Sequence, residues 1–203
     1  MPFTPFHFGP GLLLKAALPA RFSAAAFAAT QVAIDLEPAY WMFVARESPV
    51  HRSFHTLPAA AALGLAAGAA VAALGAAARR GLAACPPAVR SEFAAGTAIL
   101  GGLSGAFLHV ATDASVYPSL RPFAPFSGAN PFFGYLSFER VQMISAVAGI
   151  FGFLVLLLRT DLWKPGSVSA REAPPRSPRG RPSPAGPVPG TKPCPSDPTE
   201  GSS

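Results

Sequence analysis

The residues of this chain that could bind a metal ion or move protons fall in the order His7, then Asp35 and Glu37, then His51 and His55, then His109 and Asp113. His51/His55 and His109/Asp113 are each spaced i, i+4, which on a helix places both side chains on one face within reach of a single ion. Imidazole and carboxylate without thiolate suit Zn²⁺, Mn²⁺ or Fe²⁺, and the candidates are numerous enough for a binuclear site. The chemistry such a site offers is metal-assisted hydrolysis, with the pKa of water lowered toward neutrality and Glu37 or Asp113 as candidate general base.

The elements that must position these groups are apolar. Only 13% of the residues are charged and half are hydrophobic, whereas a soluble domain of this size carries about a quarter charged residues. Pro58 to Ala78 is an uncharged run long enough to cross a ~30 Å hydrocarbon core, and Arg79 and Arg80 stop it. A second run, Phe93 to Thr112, contains Gly96, Gly101, Gly102 and Gly105, which lets a neighbouring helix approach closely and predicts a packed rather than lipid-facing span. The third, Val141 to Leu158, ends in IFGFLVLLL and is closed by Arg159, Asp161 and Lys164. The expected fold is all-α: an integral membrane helical bundle over residues 1–164, with three long transmembrane helices and a short N-terminal helical pair.

That pair is Gly11 to Leu18 and Phe22 to Ile34, separated by Pro19 and flanked by Lys15 and Arg21. It reads either as a short fourth span or as a re-entrant or interfacial hairpin that returns His7 to the face of Asp35. Lys15 follows GLLL rather than preceding the apolar run, so a cleaved signal peptide is not expected. From Pro165 onward the chain is rich in Pro, Ser, Gly and Arg and predicts a disordered tail over residues 165–203. Its basic residues account for part of the net charge of +6, so the charge predicts no nucleic-acid partner; the expected contacts are membrane lipids. Cys85 and Cys194 are isolated and give no disulfide framework.

Ser48-Pro49 is a good N-cap and N1 pair, which predicts a helix from there through His51 and His55 into the first long span. Ser91 is placed to cap the next helix, which crosses back and delivers His109 and Asp113 at its far end. Two antiparallel spans therefore bring the four side chains to one membrane face, joined by Asp35 and Glu37 just ahead of a helix break expected at Pro38. Arg79, Arg80, Arg90 and the basic tail fall on the other side, which the positive-inside rule makes cytoplasmic. The ligand face is then extracytoplasmic.

TPFHFGPG, the IDLEP segment, HRSFHT and HVATDA, in that order over about residues 1–160, resemble the bacterial membrane-bound metal-dependent hydrolases, the YdjM-like inner-membrane proteins. The resemblance implies metal ligands at His7, Asp35, His51, His55, His109 and Asp113, with Glu37 at the second acidic position. Glu37 stands where the family has aspartate, Ser53 where it has glycine, and one residue fewer separates His51 from His55. The later segment YPSLRPFAPFSGANPFFG reads as a rigid interfacial loop; as a lid on the site it would offer Arg121 to a phosphate or carboxylate, with Asn130 as a second substrate contact. GxSxG, Walker and GxGxxG motifs are absent from the sequence.

These readings converge on a metal-dependent hydrolase, zinc being the first expectation, acting on a lipid-like or phosphoester substrate at one face of an inner membrane. The alternative is a non-enzymatic membrane protein whose cluster holds metal or protons for structure or sensing. Transport is disfavoured, because no ionisable residue lies between Leu63 and Ala78 or between Phe93 and Leu108.

Overall fold

The computed structural model describes residues 5–159. The tail from Pro165, together with Thr4, Asp161, Lys164 and Cys194, lies outside the described residues. Within them the chain is all helical: α1 (Phe8–Ala17), α2 (Ala24–Ala39), α3 (Leu57–Ala77), the short α4 (Arg79–Leu82) and α5 (Pro87–Glu92), α6 (Ala95–Val116) and α7 (Phe138–Leu158). Three of these, α3, α6 and α7, are long and apolar enough to cross a membrane.

Helix α6 is the centre of the bundle. Of its most apolar stretch 39% is buried, against 22% for α3 and 17% for α7, so the glycine-rich run is the packed span its composition predicts. Antiparallel α3 meets it where Gly64 faces Gly102, and α2 meets it where Gly101 faces the Ser23 carbonyl. A Cβ on Gly102 would stand 2.0 Å from the Gly64 carbonyl oxygen, so the two backbones touch only because neither position has a side chain. Gly102→Ala is therefore expected to push the helices apart and cost about 1–3 kcal/mol, read as a lower thermal midpoint in detergent. Gly96, the one predicted packing glycine that faces open space, should accept alanine without loss.

The N-terminal pair forms a hairpin running nearly the length of α6. Its bend reaches the start of α6, where the Ser23 amide donates to the Thr97 carbonyl at 3.2 Å, while its open ends return His7 and Asp35 to the far end. The bend is fastened by a buried ion pair between Lys15 and Glu92. Lys15 Nζ also donates to the Pro19 and Phe22 carbonyls at 2.8 and 3.0 Å. Glu92 Oε2 accepts from Ser23 Oγ at 3.2 Å and the Ala25 amide at 2.9 Å. Helix α7 packs mainly on α1, with Gly9 against the Ser145 carbonyl and Gly152 against Leu12. Its other faces, including Ile150, Phe153 and Leu157, are exposed as lipid contacts would be.

Three local expectations are corrected. Pro38 does not end α2: the helix runs on through a π-helical turn, Tyr40–Ala45, and ends at Arg46 in the left-handed conformation. The proline costs the helix the hydrogen bond to the Ile34 carbonyl, and the π-helical turn begins only two residues beyond it. Ser48-Pro49 does not start a helix either. The amides of Arg52, Ser53 and Phe54 donate instead to the Glu37 carboxylate at 3.1, 2.8 and 2.9 Å, which holds the segment as a loop and one 3₁₀ turn, Ser53–His55. α3 begins at Leu57, capped by Thr56, whose hydroxyl accepts from the Ala59 amide. Ser91 does not cap α6, which starts after Ala94; the Ser91 hydroxyl donates to the Pro19 and Ala88 carbonyls.

Candidate metal centre

One end of the bundle gathers His7 from the start of α1, Asp35 from the last turns of α2, His51 and His55 from the loop before α3, and His109 and Asp113 from α6. His55 and His109 are 0% and 1% exposed, Asp35 and Asp113 6% and 7%. His109 lies seven residues before the end of α6, hence about 10 Å inside it. Three sets of donor atoms stand close enough for one ion: His7, His109 and Asp113; Asp35, His55 and His109; His51, His55 and Asp113. Every residue predicted as a ligand is in at least one set, although His51 and His55 reach it from a loop rather than from one helical face.

The separations decide what holds these groups together. His109 Nε2 lies 3.3 Å from His55 Nε2 and 3.4 Å from Asp35 Oδ1. Asp113 Oδ1 is 3.3 Å from His7 Nε2, and Oδ2 is 3.5 and 3.6 Å from the Nε2 atoms of His55 and His109. Most of these gaps are longer than a good hydrogen bond. Two donors on a tetrahedral ion at 2.0–2.1 Å are separated by roughly 3.3–3.4 Å, which is the spacing seen.

Tautomers give an independent reason. The Gly105 carbonyl can only accept, so Gln31 presents its amide nitrogen there, at 3.2 Å, and its Oε1 to His109 Nδ1 at 2.5 Å. His109 Nδ1 must therefore carry the proton, leaving Nε2 with a lone pair aimed into the cluster. On His55, Nδ1 lies 3.6 Å from Glu37 Oε2, too far for a hydrogen bond, and Nε2 points at His109 Nε2. Two lone pairs facing each other at 3.3 Å repel unless a proton or a metal ion lies between them. The buried His/Asp group can hold a metal ion.

Gln31 is the functional residue that sequence reading missed: a lone glutamine in an alanine-rich helix carries no motif, and its one signal is the i, i+4 spacing to Asp35. Glu37 is placed differently from Asp113. Both its oxygens accept backbone amides of the His55 loop, and it is in none of the three donor sets. Arg121 and Asn130 lie outside the cluster, on a cleft of about 570 Å³ between the 49–56 loop and the 118–130 loop; His51 is in its wall. Asn130 Nδ2 donates to the Ala114 and Tyr117 carbonyls at 2.9 and 3.2 Å, closing the end of α6. Arg121 is exposed, with no side-chain partner among the described residues.

Charge in the loop histidines follows their neighbours. Burial disfavours the His55 cation, but Asp113 and Glu37 outweigh it and raise its pKa to about 8. For His7 too, burial is overridden by Asp113 and the pKa is raised. His51 falls to about 4, through burial and then repulsion by His55. Without metal, the His55 proton thus stabilises the fold fully below pH ~6.5, and that contribution is lost as pH rises through about 8. His51 has the opposite sign and costs stability as pH falls below ~6.5. A metal ion must displace the His55 proton, and at lower pH the His7 proton as well, so its apparent affinity should weaken by at least about tenfold per pH unit below pH ~8. Chelator-competition titrations from pH 6 to 9 check this, and a flat profile would remove His55 from the ligand set.

The chain matches no family model, no curated protein and no solved structure.

Proposed function

We propose that this chain is a membrane-bound, metal-dependent hydrolase whose centre is held by His7, Asp35, His51, His55, His109 and Asp113, with zinc as the resident ion. The observation that carries the metal reading is the pair of Nε2 atoms of His55 and His109, 3.3 Å apart and surrounded by carboxylates. When bound, the ion supplies Lewis acidity, polarising an ester or phosphoester and lowering the pKa of water. Asp113 turns one oxygen to His7 and the other to His55 and His109, so it would hold an ion together with those rings.

The residues divide the remaining work. His51 is the ligand on the cleft wall, which makes that side the substrate's approach. Arg121 offers an unpaired guanidinium to a phosphate or carboxylate there. Glu37 is a positioning residue, fixing the His55 loop through three amide bonds, and Asp113, with both oxygens turned to imidazoles, is a ligand rather than a general base. Tyr40 and Phe43 at the end of α2, with Phe126, Phe133 and Tyr135 in the 118–137 loop, are exposed aromatics at the same end. Such residues mark the headgroup level of a bilayer, which supports a lipid-like phosphoester substrate. The membrane we assign is the bacterial inner membrane, with the site extracytoplasmic.

Hydrolysis of a phosphoester and phospholipid panel by the zinc-loaded protein tests the reading. Turnover should disappear on chelation, return with zinc, and fall in Arg121→Ala while bound metal stays unchanged. Metal binding with no turnover on any substrate would favour the second reading, a structural centre. That reading has its own support: the cluster ties together α1, α2, α6 and the loop before α3.

A further inference from the structure

We infer a second, independent site at the opposite end of the bundle, which binds one anionic phospholipid. A cleft of about 460 Å³ lies between the end of α3 and the start of α6; its walls include Ala72, Gly75 and Phe93, and Arg79 and Arg90 stand on it. Arg79 is engaged only through Nε, on the Ala76 carbonyl at 3.3 Å, and Arg90 has no side-chain partner among the described residues. No acidic residue lines the cleft. Glu92, two residues after Arg90, is spent on Lys15, Ser23 and the Ala25 amide. The local positive charge, to which exposed Arg80 adds, is therefore uncompensated by any carboxylate lining the cleft.

The position selects the occupant. α3 and α6 are both long and apolar enough to cross a membrane, and the cleft opens where one ends and the other begins. Its rim is thus at headgroup depth, while its alanine and phenylalanine wall continues into the hydrocarbon region. A phosphate between two arginines with an acyl chain along that wall satisfies both halves, and a soluble anion satisfies only the rim. Neutral phospholipid lacks the net charge that two unpaired guanidinium groups reward.

Native mass spectrometry of the full-length protein in neutral detergent, titrated with dioleoylphosphatidylglycerol or dioleoylphosphatidylcholine, tests the site. The first phosphatidylglycerol should bind about 30-fold tighter than phosphatidylcholine, given two basic contacts. Arg79→Gln with Arg90→Gln should erase that preference, Arg79→Lys with Arg90→Lys should keep most of it, and Arg46→Gln at the other end should leave it unchanged. A phosphatidylglycerol with a photoreactive acyl chain should cross-link to residues 72–76 in the wild type, a measurement that needs no variant to fold. Equal binding of the two lipids, a preference that survives the glutamine pair, cross-links confined to α7, or full displacement by equimolar glycerol 3-phosphate would each overturn the proposal. None of these readouts depends on the metal centre.

Discussion

Asp113→Ala is expected to weaken metal binding by more than about 100-fold while leaving the helical fold in place. Its two oxygens face three imidazoles within 3.3–3.6 Å, so its loss removes both a donor and the charge that balances a divalent ion. Groups that merely orient a ligand cost about 10- to 100-fold when removed, and a donor in contact with three rings must exceed that. Gln31→Leu supplies the comparison: it frees the His109 ring to take the wrong tautomer without removing a donor, and should fall within the 10- to 100-fold range. Elemental analysis after dialysis against a weak chelator, with circular dichroism as the control for folding, reads both. Wild-type metal content in Asp113→Ala would contradict the assignment.

The second large effect lies about 27 Å away, at the start of α6. Lys15→Met should destabilise the protein by about 3–5 kcal/mol, because it strands the Glu92 carboxylate in a site where the two side chains are only 8% and 16% exposed. A surface pair would be worth ~1 kcal/mol at most, so burial decides the magnitude. Lys15→Met combined with Glu92→Leu should recover much of the loss, since no unpaired charge remains. Because the pair fastens the hairpin that carries both His7 and Asp35, the single variant should also lower metal affinity. Thermal midpoints in detergent measure the first effect, and a Lys15→Met midpoint equal to wild type would show that the hairpin is held by packing alone.

Much of this was legible in the sequence, for identifiable reasons. The three long spans follow from uncharged length alone, and the packed character of α6 from its glycines. His109 and Asp113 could be placed together because the helix carrying them is long and regular, so i, i+4 spacing fixes a shared face. The same spacing misled at His51 and His55. They do come together, with rings 4.7 Å apart, but on a loop, because Glu37 captures the amides that a helix would have used. That competition is between residues 15 to 17 positions apart, beyond what local capping preferences record. Pro38 fails to stop its helix for a related reason: it is buried in the bundle, and packing rather than propensity decides whether a helix goes on. The reach of the hairpin was hidden because two short helices were judged singly, whereas the Lys15–Glu92 pair joins their bend to the start of α6. Gln31 shows its role only once its amide is seen between a carbonyl and an imidazole.

Metal analysis of the purified wild-type protein decides whether the Nε2 atoms of His55 and His109 hold an ion. Inductively coupled plasma mass spectrometry at pH 8 should find at least one transition metal ion per chain, zinc foremost, and X-ray absorption should show nitrogen and oxygen neighbours without sulfur. A protein that purifies without transition metal and takes up none when zinc is supplied would have no metal centre at this end of the bundle.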